Sequence, residues 1–276
     1  MRKYQSPLYR VRRSVAYGSV WLLRLLAFGL LFLPILLVIL LSFGSDAYTT
    51  LPPQSYSLRW YANAFSRGEF VESFITSLQV AALSTPLSLI IGTLGAYGLW
   101  KYPRPGARAL ESLLMAPILL PLVVTGLALL VFFNRWYFYG GLWTIVLAHI
   151  IITFPYSFRS VLASLSRYDR QLDEVAASLR VRPVAAFWYV TLPMIRPGLF
   201  AGALFAFVMS FDDFAATIFL ISPDTKTLPI AIYQYMEFNL DPTVSAVSAM
   251  LVLLAVIGVL VVDKMVGMDR FVGLRA

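Results

Sequence analysis

The sequence predicts an all-α membrane protein with about six transmembrane helices and both termini in the cytoplasm. Hydrophobic residues make up 59% of the 276 residues and charged residues only 13%, whereas a typical soluble domain carries about 25% charged residues. Apolar runs of roughly 20 residues recur along the chain, and a helix of that length crosses the hydrocarbon core of a bilayer. Because backbone amides find no water in lipid, we expect each run to be helical.

Six apolar runs lie between charged and turn-forming residues. They cover residues 21–43, 74–100, 110–133, 142–162, 198–221 and 244–262. The first run follows a basic segment, as in a signal peptide, but it is too long for one and no small-residue cleavage site follows it. We therefore expect an uncleaved first helix, with 1–20 as a cytoplasmic segment, 21–266 as the transmembrane domain and 267–276 as a cytoplasmic tail.

The basic residues indicate the orientation of the chain and explain its formal charge of +8. Loops on the cytoplasmic side of a membrane are rich in Lys and Arg. With the N-terminus inside, most of the Lys and Arg residues between the spans fall on the cytoplasmic side. Those left outside are Arg59, Arg67, Arg135 and Lys226. The charge is therefore interpreted as a topology signal, and nucleic-acid binding is not expected.

Motifs that would indicate catalysis are absent from the sequence. The chain has no cysteine, which excludes disulfides, thiolate metal sites and cysteine nucleophiles. Its single histidine, His149, lies in an apolar run, where we expect it to hydrogen-bond a neighbouring helix instead of a metal. No zinc-protease, Gly-x-Ser-x-Gly or Gly-rich phosphate-binding motif is present. The chain is therefore expected neither to be an enzyme nor to bind a cofactor itself.

The long cytoplasmic connection at 163–197 carries a regular pattern. Small, apolar and charged residues alternate at helical spacing over 173–180, which predicts a short amphipathic helix. Pro183 blocks direct continuation of this helix, and a second helical stretch follows it. Two short helices around a turn form a knob. We expect Ala176 and Ala177 to face a partner, because small side chains permit close approach.

This loop resembles the EAA loop of the permease subunits of binding-protein-dependent ABC importers. The family pattern is Glu-Ala-Ala, three further residues, Gly, and later Leu-Pro. The residues of this chain that match it are Glu174, Val175, Ala176, Leu192 and Pro193. Arg180 stands where the family has glycine, the residue that adopts a left-handed turn at the least cost. We therefore expect the bend to be made differently, with Pro183 as the candidate.

Further segments resemble the polyamine-type permeases of this family, especially the second permease subunit of spermidine and putrescine importers. The matching segments are 210–214, 227–229, 240–242 and 245–249. Related iron, thiamine and aminophosphonate permeases share parts of this pattern. The resemblance implies a type I ABC importer permease that moves a small solute, in first place a polyamine, from the periplasm into the cytoplasm by alternating access. A secondary transporter is the less favoured alternative, because no inverted repeat is visible.

The resemblance also implies partners and a location. The partners are a second permease subunit, with a heterodimer favoured, two ABC ATPase subunits and an extracytoplasmic solute-binding protein. Because this chain lacks a phosphate-binding loop, ATP and Mg²⁺ are expected on the separate ATPase subunits. The complex is expected in the bacterial inner membrane, in contact with lipid.

Two carboxylates fall inside the fifth predicted span. Asp212 and Asp213 lie about 15 residues into it, roughly 20 Å along a helix, which places them in the outer half of the membrane. A carboxylate at that depth is costly unless it meets water, a partner or a polar neighbour. We therefore expect one of the two to line the substrate path, flanked by Phe211 and Phe214, whose rings can pack on a cation. The alternative is that both meet a loop near the outer end of the span.

Prolines lie inside the predicted third and fourth spans, at Pro117, Pro121 and Pro155. A proline lacks the backbone N–H and clashes with the preceding helical turn, so we expect these residues to bend or interrupt their helices. Glu111 lies near the start of the third span, where a carboxylate favours the positive end of a helix.

Overall fold

The computed structural model describes residues 7–46, 48, 50–102 and 105–266, and apart from two isolated β-bridges its regular elements in these ranges are helical. The prediction of an all-α protein is therefore confirmed. The helices are α1 (Pro7–Ser42), α2 (Arg59–Ser66), α3 (Gly68–Lys101), α4 (Ala107–Leu114), α5 (Ala116–Leu119), α6 (Leu122–Arg135), α7 (Leu142–Leu165), α8 (Gln171–Ser178), α9 (Pro183–Ala186), α10 (Leu192–Met194), α11 (Arg196–Phe211), α12 (Leu228–Phe238) and α13 (Thr243–Val266).

The chain divides into two compact units. The first combines the described residues up to 67 with those from 235 onward, and the second comprises residues 68–234. The first unit therefore holds α1, α2 and α13. The second holds α3 to α11 and carries the loop and the carboxylates singled out from the sequence.

Short polar contacts order the start of α13 in the first unit. Asn63 of α2 donates a 2.8 Å hydrogen bond from Nδ2 to Oγ1 of Thr243. Asp241 accepts a 2.9 Å hydrogen bond from the Thr243 amide and a 2.7 Å hydrogen bond from the Tyr235 hydroxyl. Burial alone would raise the pKa of Asp241, but the hydrogen bonds from Thr243 and Tyr235 lower it below its ordinary value.

Four helical stretches are long and apolar enough to cross a membrane. They are Ser19–Ser42, Gly68–Lys101, Leu142–Leu165 and Thr243–Leu260. A fifth candidate is the helix pair Pro183–Met194 and Arg196–Phe211, which is bent by 72°. The structure thus shows a chain with several helices of membrane-spanning length, and the count of six spans and the orientation of the termini stay predictions.

The predicted third span, 110–133, is not one helix. It is divided among α4, α5 and α6, with breaks at Met115 and at Leu120. Leu120 is extended, with φ −87° and ψ 141°, which is the conformation that the following Pro121 favours. α6 has 14 residues and is about 21 Å long, less than the roughly 30 Å of hydrocarbon. Pro155 lies inside the continuous helix α7, so the expected interruption does not occur there.

In the second unit α3 packs closely on α7 through small residues. A Cβ atom added to Gly92 would lie 2.7 Å from the backbone nitrogen of Phe158 and 2.9 Å from Cβ of Ser157. Ser88 of α3 and Thr153 of α7 share a 2.6 Å hydrogen bond between their hydroxyls. Both contacts require the two backbones to lie closer than larger side chains would allow.

α11 packs on α7 in the same way, because a Cβ atom added to Gly202 would lie 3.1 Å from Cα of Ser157. Two clusters of buried apolar side chains lie in this unit. One cluster contains Val80, Leu129, Phe133, Ile145, Val146, Ala148 and Leu220. The other contains Ala96, Phe158, Val161, Leu165 and Ile195. Helices α3, α7 and α11 therefore form the framework that positions the loop and the segment after α11.

Gly92→Ala is expected to destabilise the second unit by about 1–3 kcal/mol, because the added methyl group must push the backbone of α7 away. The measurement is the thermal unfolding midpoint of the purified protein in detergent. Gly98→Ala is the matched control, since Gly98 lies in the same helix and an added Cβ atom there meets nothing within 4 Å. The control is expected to be neutral or slightly stabilising, because alanine is the better helix former. Equal midpoints for the two variants would contradict the close approach.

Candidate functional site

The predicted loop helix is present as α8, and it ends in a residue with left-handed backbone geometry. The Val181 amide donates to the Ala176 carbonyl at 3.0 Å and the Arg180 amide to the Ala177 carbonyl at 2.9 Å, the hydrogen-bond pattern of a Schellman motif. Arg180 adopts φ 55°, which costs a residue other than glycine about 1–2 kcal/mol. The expectation that Pro183 makes the bend is therefore wrong, because Arg180 itself adopts the conformation that favours glycine.

The other loop residues that match the family pattern differ in exposure. Glu174 and Val175 are exposed on α8, whereas Ala176 is only 6% exposed. Ala177, the next residue, is exposed. Two further residues of the pattern are half-buried: Leu192 and Pro193. Ala176 therefore does not face a partner as expected, because its side chain is already covered within this chain, and Ala177 offers the open surface.

Large apolar side chains are exposed along the same loop. Those with more than half of their surface exposed are Val175, Leu179, Val184, Trp188, Tyr189 and Met194. The loop therefore exposes several large apolar side chains in this chain.

α8 is fixed to the end of α3 by contacts that the loop pattern does not indicate. Asp173 forms an ion pair with Lys101, the last residue of α3. Its other carboxylate oxygen accepts a 2.9 Å hydrogen bond from the Tyr168 hydroxyl. Burial, with a smaller contribution from this hydrogen bond, raises the pKa of Tyr168 to about 12, so the hydroxyl keeps its proton at neutral pH. The partners Lys101 and Asp173 are 72 residues apart in sequence, which hides their contact from local spacing.

The helix that carries the candidate substrate-path residues ends earlier than predicted. α11 stops at Phe211, and Asp212 is its C-terminal cap residue. The predicted span 198–221 is therefore wrong beyond this point, and a 3₁₀ turn follows at Thr217–Phe219. Asp212 is exposed, whereas Asp213 is 6% exposed. Both residues lie where the helix gives way to an irregular segment, which is the alternative that the sequence left open.

Asp213 organises the segment that follows α11. Its Oδ2 atom accepts a 2.9 Å hydrogen bond from the Thr217 amide and a 2.7 Å hydrogen bond from the Thr217 hydroxyl. Its Oδ1 atom accepts a longer, 3.4 Å hydrogen bond from the Ala216 amide. A buried carboxylate is stable only when such donors replace water. These contacts indicate that Asp213 shapes its own loop, while Asp212 is the carboxylate with open surface.

The two flanking phenylalanines are engaged in aromatic packing. The Phe211 ring meets the edge of Phe74 at a centroid distance of 5.8 Å, and it stacks on Phe207 at 6.0 Å. The Phe214 ring packs on Tyr233 at 5.0 Å. Phe211 therefore belongs to an aromatic cluster with Phe74 and Phe207, and Phe214 packs the segment after the helix against Tyr233.

His149 connects this segment to the helical framework. Its Nε2 atom lies 2.8 Å from Oγ1 of Thr217, and its Nδ1 atom lies 2.7 Å from Oγ of Ser210. Ser210 of α11 in turn shares a 3.0 Å hydrogen bond with Ser84 of α3. The prediction that His149 hydrogen-bonds a neighbouring helix is confirmed. The Nε2 atom is 3.8 Å from Oδ2 of Asp213, which is too long for a direct hydrogen bond.

The direction of each hydrogen bond in the series Ser84, Ser210, His149, Thr217 and Asp213 follows from the carboxylate at its end. The Asp213 carboxylate only accepts, so the Thr217 hydroxyl donates to it and must accept from Nε2–H of His149. In neutral His149 the Nδ1 atom then accepts from the Ser210 hydroxyl, which accepts from Ser84. The five groups are satisfied without a net charge on the imidazole. Within the described residues no group of three or more His, Asp and Glu side chains is placed to hold a metal ion.

Most of this chain matches one known protein family. The family model described as "Binding-protein-dependent transport system inner membrane component" matches residues 60–267. The chain belongs to this family. The matched region includes helices α3 to α13 and the whole loop at 163–197, with α8 and Arg180.

Several relatives share most of their length with this inner membrane component. The putrescine transport system permease protein PotI of Escherichia coli (strain K12) is 30% identical over 234 residues, which cover 82% of this chain and 83% of PotI. The spermidine/putrescine transport system permease protein PotC of Haemophilus influenzae is 26% identical, with 83% and 88% covered. A putative 2-aminoethylphosphonate transport system permease protein, PhnV of Salmonella choleraesuis, is 26% identical, with 97% and 99% covered.

The fold also matches a solved structure. A chain from the crystal structure of a bacterial ABC transporter involved in the import of the acidic polysaccharide alginate superposes with a TM-score of 0.68. The match covers 96% of this chain and 98% of that chain, at 18% sequence identity. This similarity shows that the chain has the fold of an ABC importer permease.

Arg180→Val is expected to loosen the end of α8, because a β-branched side chain is strained further in the left-handed conformation. Exchange of the Val181 amide hydrogen, measured by mass spectrometry of the purified protein, should become about tenfold faster, which corresponds to about 1.4 kcal/mol. Arg182→Val is the matched control, since Arg182 is extended at φ −60° and ψ 140° and loses the same charge. If both variants exchange at the same rate, the strain at Arg180 is not the cause.

Asp213→Ala is expected to lower the stability of the second unit by about 2 kcal/mol or more, because it leaves the buried Thr217 hydroxyl and amide without their acceptor. Asp212→Ala removes the same charge from an exposed position and should leave the thermal unfolding midpoint unchanged. A matching loss of stability in both variants would mean that Asp212 is also a structural carboxylate.

Proposed function

We propose that the chain is a transmembrane permease subunit of an ATP-driven importer in the bacterial inner membrane, which moves a polyamine into the cytoplasm by alternating access. The observation that carries this proposal is the loop at 163–197. It presents an exposed apolar surface, and its first helix is joined to the end of α3, a helix of membrane-spanning length. A subunit driven by ATPases on one side of the membrane needs both features.

The proposed partners on the loop side are two ABC ATPase subunits, which bind ATP and Mg²⁺. Val175, Leu179 and Trp188 supply apolar contact area for such a partner. Glu174 is exposed in the first turn of α8, where it is free to meet a basic group on the ATPase. Family membership supports this arrangement, because a binding-protein-dependent transport system works through several subunits.

A second permease subunit is proposed to complete the path, with a heterodimer favoured by the resemblance to polyamine permeases. α1 offers surface for it, because only 6% of its apolar stretch is buried within this chain. Lipid and the second permease subunit together would cover that stretch. An extracytoplasmic solute-binding protein is proposed to deliver the substrate to the opposite face.

The proposed substrate class rests on two observations. PotI and PotC, which share more than four-fifths of this chain's length, are named for putrescine and spermidine transport. Asp212 is an exposed carboxylate at the C-terminal end of α11, where the helix dipole adds negative potential. A carboxylate at a helix C-terminus favours a cationic substrate.

An aminophosphonate is the second candidate, because PhnV matches over nearly the whole chain. This substrate also carries an ammonium group, so Asp212 suits either one. The test is ATP-dependent uptake into proteoliposomes that contain the chain with its partner permease, ATPases and solute-binding protein. Radiolabelled putrescine, spermidine and 2-aminoethylphosphonate are compared. Uptake of the phosphonate alone would overturn the polyamine assignment, and uptake of none of the three would remove both candidates.

Asp212→Asn is expected to raise the KM for the cationic substrate about tenfold, because it removes one charge-assisted interaction and keeps the side-chain size. Complex assembly and basal ATP hydrolysis should be unchanged. Asp224→Asn is the control, since Asp224 is also an exposed carboxylate but lies in the turn between Ser222 and Thr225. Normal uptake by the Asp212 variant would place that residue outside the substrate path.

A further inference from the structure

The contacts between the loop and the last turn of α3 form a compact group. Asp173 and Lys101 are partly covered, with 15% and 31% of their side chains exposed. Both carboxylate oxygens of Asp173 are occupied, one by the Lys101 ammonium and one by the Tyr168 hydroxyl at 2.9 Å. An ion pair with these features is held in one geometry more firmly than a pair on the open surface.

A second layer of contacts joins the same two segments. Arg170 donates a 3.0 Å hydrogen bond from Nη2 to the backbone carbonyl of Trp100, and its guanidinium lies 5.1 Å from the centre of the Trp100 ring. The Tyr168 ring meets the same indole edge-on at 5.2 Å. The Arg170 side chain thus satisfies a carbonyl at the end of α3, where intrahelical donors run out. We call the five residues of these two layers the clamp: Trp100, Lys101, Tyr168, Arg170 and Asp173.

The later part of the loop reaches the same turn of α3. Phe187, at the start of the π-helical turn Phe187–Thr191, packs edge-on against Tyr97 at a centroid distance of 4.8 Å. Tyr97 also contacts the Trp100 ring at 6.1 Å. Both helical parts of the loop are therefore attached to one turn of one helix.

α3 is itself locked to its neighbours. Gly92 leaves no room for a side chain against α7, and Ser88 is hydrogen-bonded to Thr153 of that helix. Ser84 is hydrogen-bonded to Ser210 of α11. A displacement applied at the last turn of α3 is therefore passed to α7 and α11, because closely packed helices do not deform independently.

We propose that the clamp makes the loop helix α8 and α3 move as one rigid body. Asp173 is the positioning residue through which a movement of the ATPase subunits is passed to α3. This inference rests on the proposed function, since it assumes that a partner pushes on the loop. The clamp is distinct from the proposed docking surface: its side chains contact one another between α3 and the loop, whereas Val175 and Leu179 are exposed. Loss of the clamp should therefore separate ATP hydrolysis from solute movement and leave docking intact.

The chain offers a direct test, because it contains no cysteine. The variant Lys101→Cys with Asp173→Cys removes the ion pair, and a short bifunctional methanethiosulfonate then joins the two thiols until dithiothreitol releases them. In the assembled complex, the reduced variant should hydrolyse ATP but take up at least fivefold less solute per ATP. The cross-linked variant should regain uptake, and dithiothreitol should abolish the gain. Lys101→Arg, which keeps the charge, should couple normally.

The control is the pair Glu111→Cys with Arg159→Cys. These residues form an ion pair at 3.7 Å, but their side chains are 36% and 67% exposed and Asp173 is not involved. The reduced control should transport like the unmodified complex. Wild-type coupling in the reduced Lys101 and Asp173 variant would overturn the proposal. So would a cross-linked variant that stays inactive, because that result would require α3 and α8 to move apart.

A readout that does not depend on the solute separates this proposal from the proposed function. Spin labels on cysteines introduced at Leu94 of α3 and Ser178 of α8, two exposed positions outside the clamp, report the distance between the two helices in the nucleotide-free and the ATP-trapped complex while the clamp stays intact. An unchanged distance supports a rigid clamp even if the transported substrate has been assigned wrongly. A distance that widens when ATP is trapped overturns the clamp even if polyamine uptake is confirmed.

Discussion

In hydrocarbon, two helices gain little by burying apolar side chains against each other, so α3, α7 and α11 must be held together by close backbone approach and interhelical hydrogen bonds. Gly92 provides the close approach to α7, and the Ser88–Thr153 and Ser84–Ser210 pairs provide the hydrogen bonds. Outside the two buried clusters, large apolar side chains such as Leu94 of α3 and Phe205 of α11 are exposed. The loop and the segment after α11 both depend on this framework, because each is attached to it by polar contacts.

α3 connects the two functional regions. The clamp is attached at Lys101, and the polar chain that ends at Asp213 begins at Ser84, on the same helix. Ser84 and Lys101 are 17 positions apart in α3, which corresponds to about 25 Å of continuous helix. A single rigid element therefore reaches from the docking loop to the segment beside the candidate substrate site. Under the proposed function, this helix would connect a partner ATPase at the loop to the segment after α11.

The sequence predicts those features that depend on local composition. The apolar runs at 74–100 and 142–162 lie within α3 and α7, and the pattern at 173–180 marks α8. The end of α11 could not be predicted, because the apolar run continues past Phe211 and the contacts that hold Asp213 come from Thr217 in the following turn. The ion pair between Lys101 and Asp173 joins distant segments and has no local signal. At Arg180, residue preference pointed away from a left-handed turn, and the helix-ending hydrogen bonds outweigh that preference.

The one-way donation from Ser84 through Ser210, His149 and Thr217 to Asp213 also constrains how this protein can change over evolutionary time. The Ser210 and Thr217 hydroxyls each accept from one neighbour and donate to the next, so replacing either with a methyl group leaves a buried polar atom unpaired on each side. A single replacement is therefore costly, while a joint replacement of adjacent members by apolar residues removes the unpaired atoms together. These positions should covary as a block among relatives, with the ancestral polar set retained whole or exchanged whole.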